Sequence, residues 1–241
     1  MDGMKNAIVF AGPSIFGVSL DLHGNIDFAP PAACGDVLKA IRRGYTRIGL
    51  IDGVFGSRRS VWHKELLYGL SQGVAIAGAA SMGALRAAEC SEFGMLGIGT
   101  IHEDFSSGKR TADSDVAIQH LPDKFGYQPT TVALVDAEFA IDQLEDMQHL
   151  SKSVAGTLKV IARYLGFRDR TWERILSHHE ISGTQRQRLL ESIANLGPLL
   201  KTRDAISLLA MLPGLPMREH PAFTFSHTSF FVHLEQEMRD A

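Results

Sequence analysis

Short apolar runs alternate with amphipathic stretches through the first half of the chain. "NAIVFAGPS" (residues 6–14), "RIGLIDG" (47–53) and "VAIAGAA" (74–80) read as buried strands that end in turn residues. Between and after them, "GDVLKAIRRG" (35–44), "SVWHKELLYGLSQG" (60–73) and "MGALRAAECSEFGM" (82–95) read as helices. In the second of these, Val61, Leu66, Leu67 and Leu70 recur at roughly helical spacing. Asp36 is placed to cap the first helix and Gly44 to stop it.

Strand and helix in alternation, joined by short connections, predict a parallel sheet, so the first half is an α/β, Rossmann-like unit. Beyond about Pro129 the pattern changes. Residues 131–147, 152–167, 170–180, 183–197 and 203–213 carry helical periodicity, and strand signals are sparse. The expected organisation is an α/β domain over 1–128 and a helical region over 129–241, with an irregular proline-rich stretch at 213–225. In parallel sheets ligands collect at the carboxyl ends of the strands. Three unusual stretches fall there: "GPS" at 12–14, "IDGVF" at 51–55 and "GAASMG" at 78–83.

Composition narrows the classes without choosing among them. The 241 residues are 45% hydrophobic and 21% charged, with a net charge of -3. That balance offers no basic footprint for nucleic acid and none for an anionic membrane surface. Two cysteines, Cys34 and Cys90, are too few for a disulfide scaffold or a cysteine zinc site, although one bridge could form if they met. The residues after Met1 lack the pattern of a signal peptide, and no run is long enough to span a membrane, so a cytoplasmic protein is expected.

The most specific local word is "GVAIAGAASMGALRAAE" (73–89). Small-x-Ser-x-Gly between a strand and a helix is close to a nucleophile elbow, with Ala79 where a glycine usually stands. Ser81 then lies at a helix amino end, where free amides can stabilise an oxyanion. The plainer possibility is that Ser81 caps the helix while Gly78 and Gly83 permit close packing. A serine nucleophile needs a base, and Asp52, His63 and Ser81 would supply an acid–histidine–serine set. Arg86 could reach a carboxylate, or it could pair with Glu89 three residues on. Gly12, Ser14, Gly83 and Glu65 complete the candidate substrate-binding positions. Cys34, before a helix, reads as a semi-buried packing residue rather than a reactive thiol. Histidine beside carboxylate at 63–65 and 102–105 lacks the spacing of zinc sites, and the cluster Asp113, Asp115 and His120 could coordinate Mg²⁺ only weakly and lacks the glycine and terminal glutamate of a calcium loop. No metal and no cofactor are expected.

The words "FAGPS", "PPAACGD", "IGLIDGVF", "VWHKELLYGL", "GVAIAGAASMGALRAAE" and "FGMLGIGTI" together resemble the TfuA-like family over roughly residues 6–120. The resemblance implies an accessory role beside a YcaO-type enzyme, which activates a backbone amide so that sulfur can replace its oxygen. It further implies that sulfur comes from a thiocarboxylated carrier protein, which Ser81 would attack while Arg86 held the anionic end. The alternative is a non-catalytic module that docks or activates the YcaO-type enzyme. Binding of a small anionic metabolite at the same helix end is a third possibility. Asp113 and Asp115 depart from the family's acidic run, and the helical second half receives no role from the resemblance.

Overall fold

The computed structural model describes residues 6–20, 25–56, 58–217 and 223–238. Five strands form one sheet: β1 (Ala7–Phe10), β2 (Ile26–Ala29), β3 (Arg47–Leu50), β4 (Ala75–Ala79) and β5 (Leu96–Ile98). Their order is β2-β1-β3-β4-β5, and every neighbouring pair is parallel. Parallel neighbours require crossovers. Helices α1 (Asp36–Arg42), α2 (His63–Ser71) and α3 (Met82–Glu89) supply those that follow β2, β3 and β4. The remaining helices are α4 (Thr100–Ser106), α5 (Leu134–Asp146), α6 (Lys152–Tyr164), α7 (Trp172–Ile175), α8 (Gly183–Ala194), α9 (Leu200–Met211) and α10 (Ser229–Glu237).

Side chains alternate across the strands and build two cores. Ile8, Phe10, Ile48, Leu50 and Ile76 pack with Val37 and Ala40 of α1, Leu66 and Leu70 of α2, and Ala87 of α3. On the opposite face, Ala7, Val9, Ala75, Ala77 and Ala79 pack with Ala205, Leu208 and Leu209 of α9, followed by Leu212 and Leu215. This second face is made of small residues because α9 lies close against it. A Cβ at Gly49 would stand 2.8 Å from Leu208 and 2.9 Å from Val9.

The expected α/β class with a helical second half is the observed one, but the boundary at 128/129 does not divide the packing. Helix α9 forms a layer of the sheet, and Phe231 and Leu234 of α10 pack against Leu38 of α1. Helices α5, α6, α7 and α8 share a core of their own, built on Ile141, Leu144, Leu158, Ile175 and Leu189.

Other local expectations change too. Asp36 does not cap α1: the position before the helix is Gly35, at φ +92°, and the Asp36 carboxylate accepts from the Ala33 amide at 2.9 Å. Strands β2 and β5 were not foreseen, because both are short edge strands and β5 carries Gly97 at its centre. The helix expected over 170–180 shrinks to the single turn of α7. Of the proline-rich stretch 213–225, residues 218–222 lie outside the described residues. Among the described residues, no helix is long and apolar enough to cross a membrane.

Candidate functional site

The carboxyl ends of β1, β3 and β4 meet at one cavity of about 240 Å³, with Pro13, Asp52, Gly53 and Ser81 in its wall. The amides of Ile51 and Asp52 both donate to the Phe10 carbonyl, which carries the β1–β3 ladder past its last residues and brings the two strand ends together. The Asp52 carboxylate is buried there. One of its oxygens accepts from the amides of Gly12 (2.9 Å) and Ser14 (3.0 Å), and the other from the Ser14 hydroxyl (2.7 Å). Gly12 and Ser14, expected to bind substrate, are therefore occupied in holding Asp52. Gly12 must also stay small, since a Cβ there would stand 2.6 Å from Pro31.

Ser81 sits on a sharp turn. Its amide donates to the Ala79 carbonyl at 2.7 Å, and Ala80 between them is fully buried at φ +64°. A non-glycine residue held there costs on the order of 1–3 kcal/mol, and such strain concentrates at functional sites. The hydroxyl does not cap α3; it donates to the Val116 carbonyl at 3.4 Å. The amides of Gly83, Ala84 and Leu85 donate to the Ile51 and Ser81 carbonyls. The Met82 amide, directly after the serine, has no partner among the described residues.

The small residues around Ser81 serve packing. A Cβ on Gly83 would fall 1.7 Å from the Leu50 carbonyl oxygen, and one on Gly78 would fall 2.0 Å from the Gly83 carbonyl oxygen. Gly83 is thus a spacer that lets α3 touch the sheet.

His63 and Arg86 are directed elsewhere. His63 Nε2 pairs with the Glu89 carboxylate at 2.7 Å. Arg86 pairs with the same carboxylate oxygen at 2.5 Å and donates to the Val61 carbonyl at 3.1 Å. Burial acts to raise the Glu89 carboxyl, but the bonds from His63 and Arg86 outweigh it and hold that carboxyl below its usual range. Arg86 and Glu89 line a separate pocket that shares Phe55, Met82, Leu85 and Asp113 with the Ser81 cavity. The expected Asp52–His63–Ser81 linkage is not made: Asp52 is bonded to the 12–14 loop, and His63 reaches across from α2 to α3.

Glu65 is fully buried and is absent from the wall of the Ser81 cavity. It accepts from the amides of Trp62 (2.9 Å) and Gly35 (3.0 Å), and more distantly from that of Leu38 (3.4 Å). One carboxylate thus fastens the starts of α1 and α2, which is a structural task. Burial pushes its carboxyl up to about 7. Cys34 and Cys90 are both unbridged, and burial raises each thiol to about 11, so neither is a ready thiolate. Among the described residues no three metal-binding side chains gather, and Asp115 pairs with Arg110 at 3.2 Å.

Three groups of the cavity were not anticipated as a set. Lys201, in the first turn of α9, is only 2% exposed. Its Nζ donates to the Val116 carbonyl at 2.8 Å, and its amide donates to Asp136 at 2.9 Å. Asp136 is pushed up by burial and pulled back by the Lys201 charge. His120 lines the Ser81 cavity with Nδ1 2.8 Å from the Leu121 carbonyl. A carbonyl can only accept, so Nδ1 carries the proton and Nε2 is left as an acceptor. Tyr127 stacks edge-on against that ring, 5.6 Å between centroids. One sequence signal for Lys201 did exist, since a cation in the first turn of a helix opposes the helix dipole.

A family model described as "TfuA-like protein" matches residues 52–171. No curated protein matches the chain.

Proposed function

The chain belongs to the TfuA-like family, which gives it an accessory role beside YcaO-type enzymes in thioamide formation, and on that premise we propose that it supplies the sulfur by hydrolysing a thiocarboxylated carrier protein at Ser81. The observation that carries this reading is the strained turn at Ala80. It sets the Ser81 hydroxyl into a cavity without spending it as a helix cap, next to an unpartnered Met82 amide.

The chemistry follows from those positions. Ser81 Oγ attacks the thiocarboxylate carbon, and the negative charge that develops on oxygen is met by the Met82 amide. His120 Nε2 accepts the serine proton in place of His63. The C–S bond breaks, sulfur leaves as hydrosulfide with that proton, and a carrier acyl group remains on Ser81 as an ester. Water hydrolyses the ester, giving the carrier carboxylate and a free hydroxyl. Asp52 does not touch His120; it fixes the 12–14 loop that forms one wall.

The test is sulfide release from a thiocarboxylated carrier protein by purified protein. Ser81→Ala and His120→Ala are each expected to slow release by about a hundredfold or more. Undiminished release by Ser81→Ala would overturn the nucleophile. If that variant also still supported a YcaO-type partner, the non-catalytic docking role would stand in its place.

A further inference from the structure

We infer that Lys201 is the residue that holds the anionic end of the carrier tail in the Ser81 cavity, the task that the family resemblance implied for Arg86. This rests on the reading of Ser81 above and adds a residue from the part of the chain that had no assigned role.

Arg86 is already committed to Glu89 and Val61. Lys201 is committed to much less. An ammonium has three donors, and Nζ has a single acceptor among the described residues, the Val116 carbonyl. Burying a cation with one hydrogen bond is costly unless a further acceptor arrives. The nearby carboxylates make no hydrogen bond to Nζ: Asp136, which the Lys201 charge attracts from a distance, takes the backbone amide of Lys201, and Asp52 takes Gly12 and Ser14. The side chain lies in the wall of the Ser81 cavity and also borders the neighbouring one beside Asp136.

Position links the cation to the chemistry. The Ser81 hydroxyl and the Lys201 ammonium donate to the same carbonyl oxygen, that of Val116. An acyl carbon within reach of Ser81 therefore places its charged substituent beside Nζ. Pro13, Pro31, Val54 and Leu85 make part of the cavity wall apolar, which leaves room for a narrow chain end; Arg58, the other cation in the wall, is exposed to solvent, whereas Lys201 is buried. The ligand class is a peptide chain terminus with one negative charge, carboxylate or thiocarboxylate. A neutral terminus would leave the ammonium as poorly satisfied as before.

The test uses N-acetyl-glycylglycine ending in carboxylate, thiocarboxylate or carboxamide, with the full-length protein. Calorimetry on the unmodified chain is expected to show the carboxylate binding about 10 to 100 times more tightly than the carboxamide. Lys201→Met, which keeps the aliphatic stem, is expected to bind the two alike and to release sulfide more slowly from the thiocarboxylate. Equal binding of carboxylate and carboxamide by the unmodified chain would overturn the proposal, even if Lys201→Met failed to fold. So would a folded Lys201→Met that kept the preference. A charge preference that persists while Ser81→Ala still releases sulfide would sink the nucleophile and leave Lys201 standing. The reverse pattern would do the opposite.

Discussion

Gly83 shows how far one position can decide a site. Its missing Cβ would land inside the Leu50 carbonyl, a backbone group with nowhere to move. Gly83→Ala should therefore cost roughly 3 kcal/mol or more as α3 is levered off the sheet. Gly156, in the exposed part of α6, meets nothing within 4 Å, so Gly156→Ala should instead stabilise the protein by about 1 kcal/mol or less. Urea denaturation of both variants checks the pair, and similar changes in the two would refute the assignment. At this scale the place of Ser81 was legible in the sequence, because glycines crowded around one hydroxyl announce close backbone approach. The partners were not. Chain order puts His63 between Asp52 and Ser81, yet geometry turns it toward Glu89 on the next helix. Lys201 lies in a stretch with no motif around it, and only the packed structure brings its ammonium to the Val116 carbonyl.

Helices α1 and α2 start from one buried carboxylate, and that gives the pair a pH dependence. Burial pushes Glu65 from 4.5 up to about 7. A carboxyl raised in the folded state favours the protonated fold, so its contribution is full below about pH 4.5 and fades as pH rises through about 7. Across that interval the unmodified protein should lose roughly 2–4 kcal/mol relative to a variant that cannot titrate there. Denaturation of the unmodified chain and Glu65→Gln at a series of pH values reads the difference in slope. Parallel slopes would show that Glu65 stays charged in the fold. The elements themselves were legible where an apolar run was long and centrally placed, as in β1, β3 and β4. The edge strands β2 and β5 were not, because each buries a single residue, Ile26 in one and Ile98 in the other, and so shows no continuous apolar run.

The whole molecule is closed by a helix from the half that was expected to stand apart. Leu208, Leu209, Leu212 and Leu215 are buried on the sheet, and burial of such side chains is worth about 2 kcal/mol apiece. Together they rival the roughly 5–15 kcal/mol that keeps an ordinary domain folded. A chain ending at residue 199 should accordingly lose its cooperative thermal transition, as followed by circular dichroism. A sharp transition in that fragment would show that the α/β half is autonomous. Sequence pattern could not reveal this layer, because helical periodicity tells that α9 has an apolar face and not which surface receives it. The segment matching the family model, 52–171, likewise omits β1, β2, β3 and α9. Synthesis adds a direction in time to this arrangement. Ser81 leaves the ribosome well before Lys201, and the hydroxyl and the ammonium come to share a carbonyl only when α9 seats on the sheet. A growing chain thus exposes Ser81 before the Lys201 charge can join it, and the order of translation itself delays the completed cavity until α9 has seated.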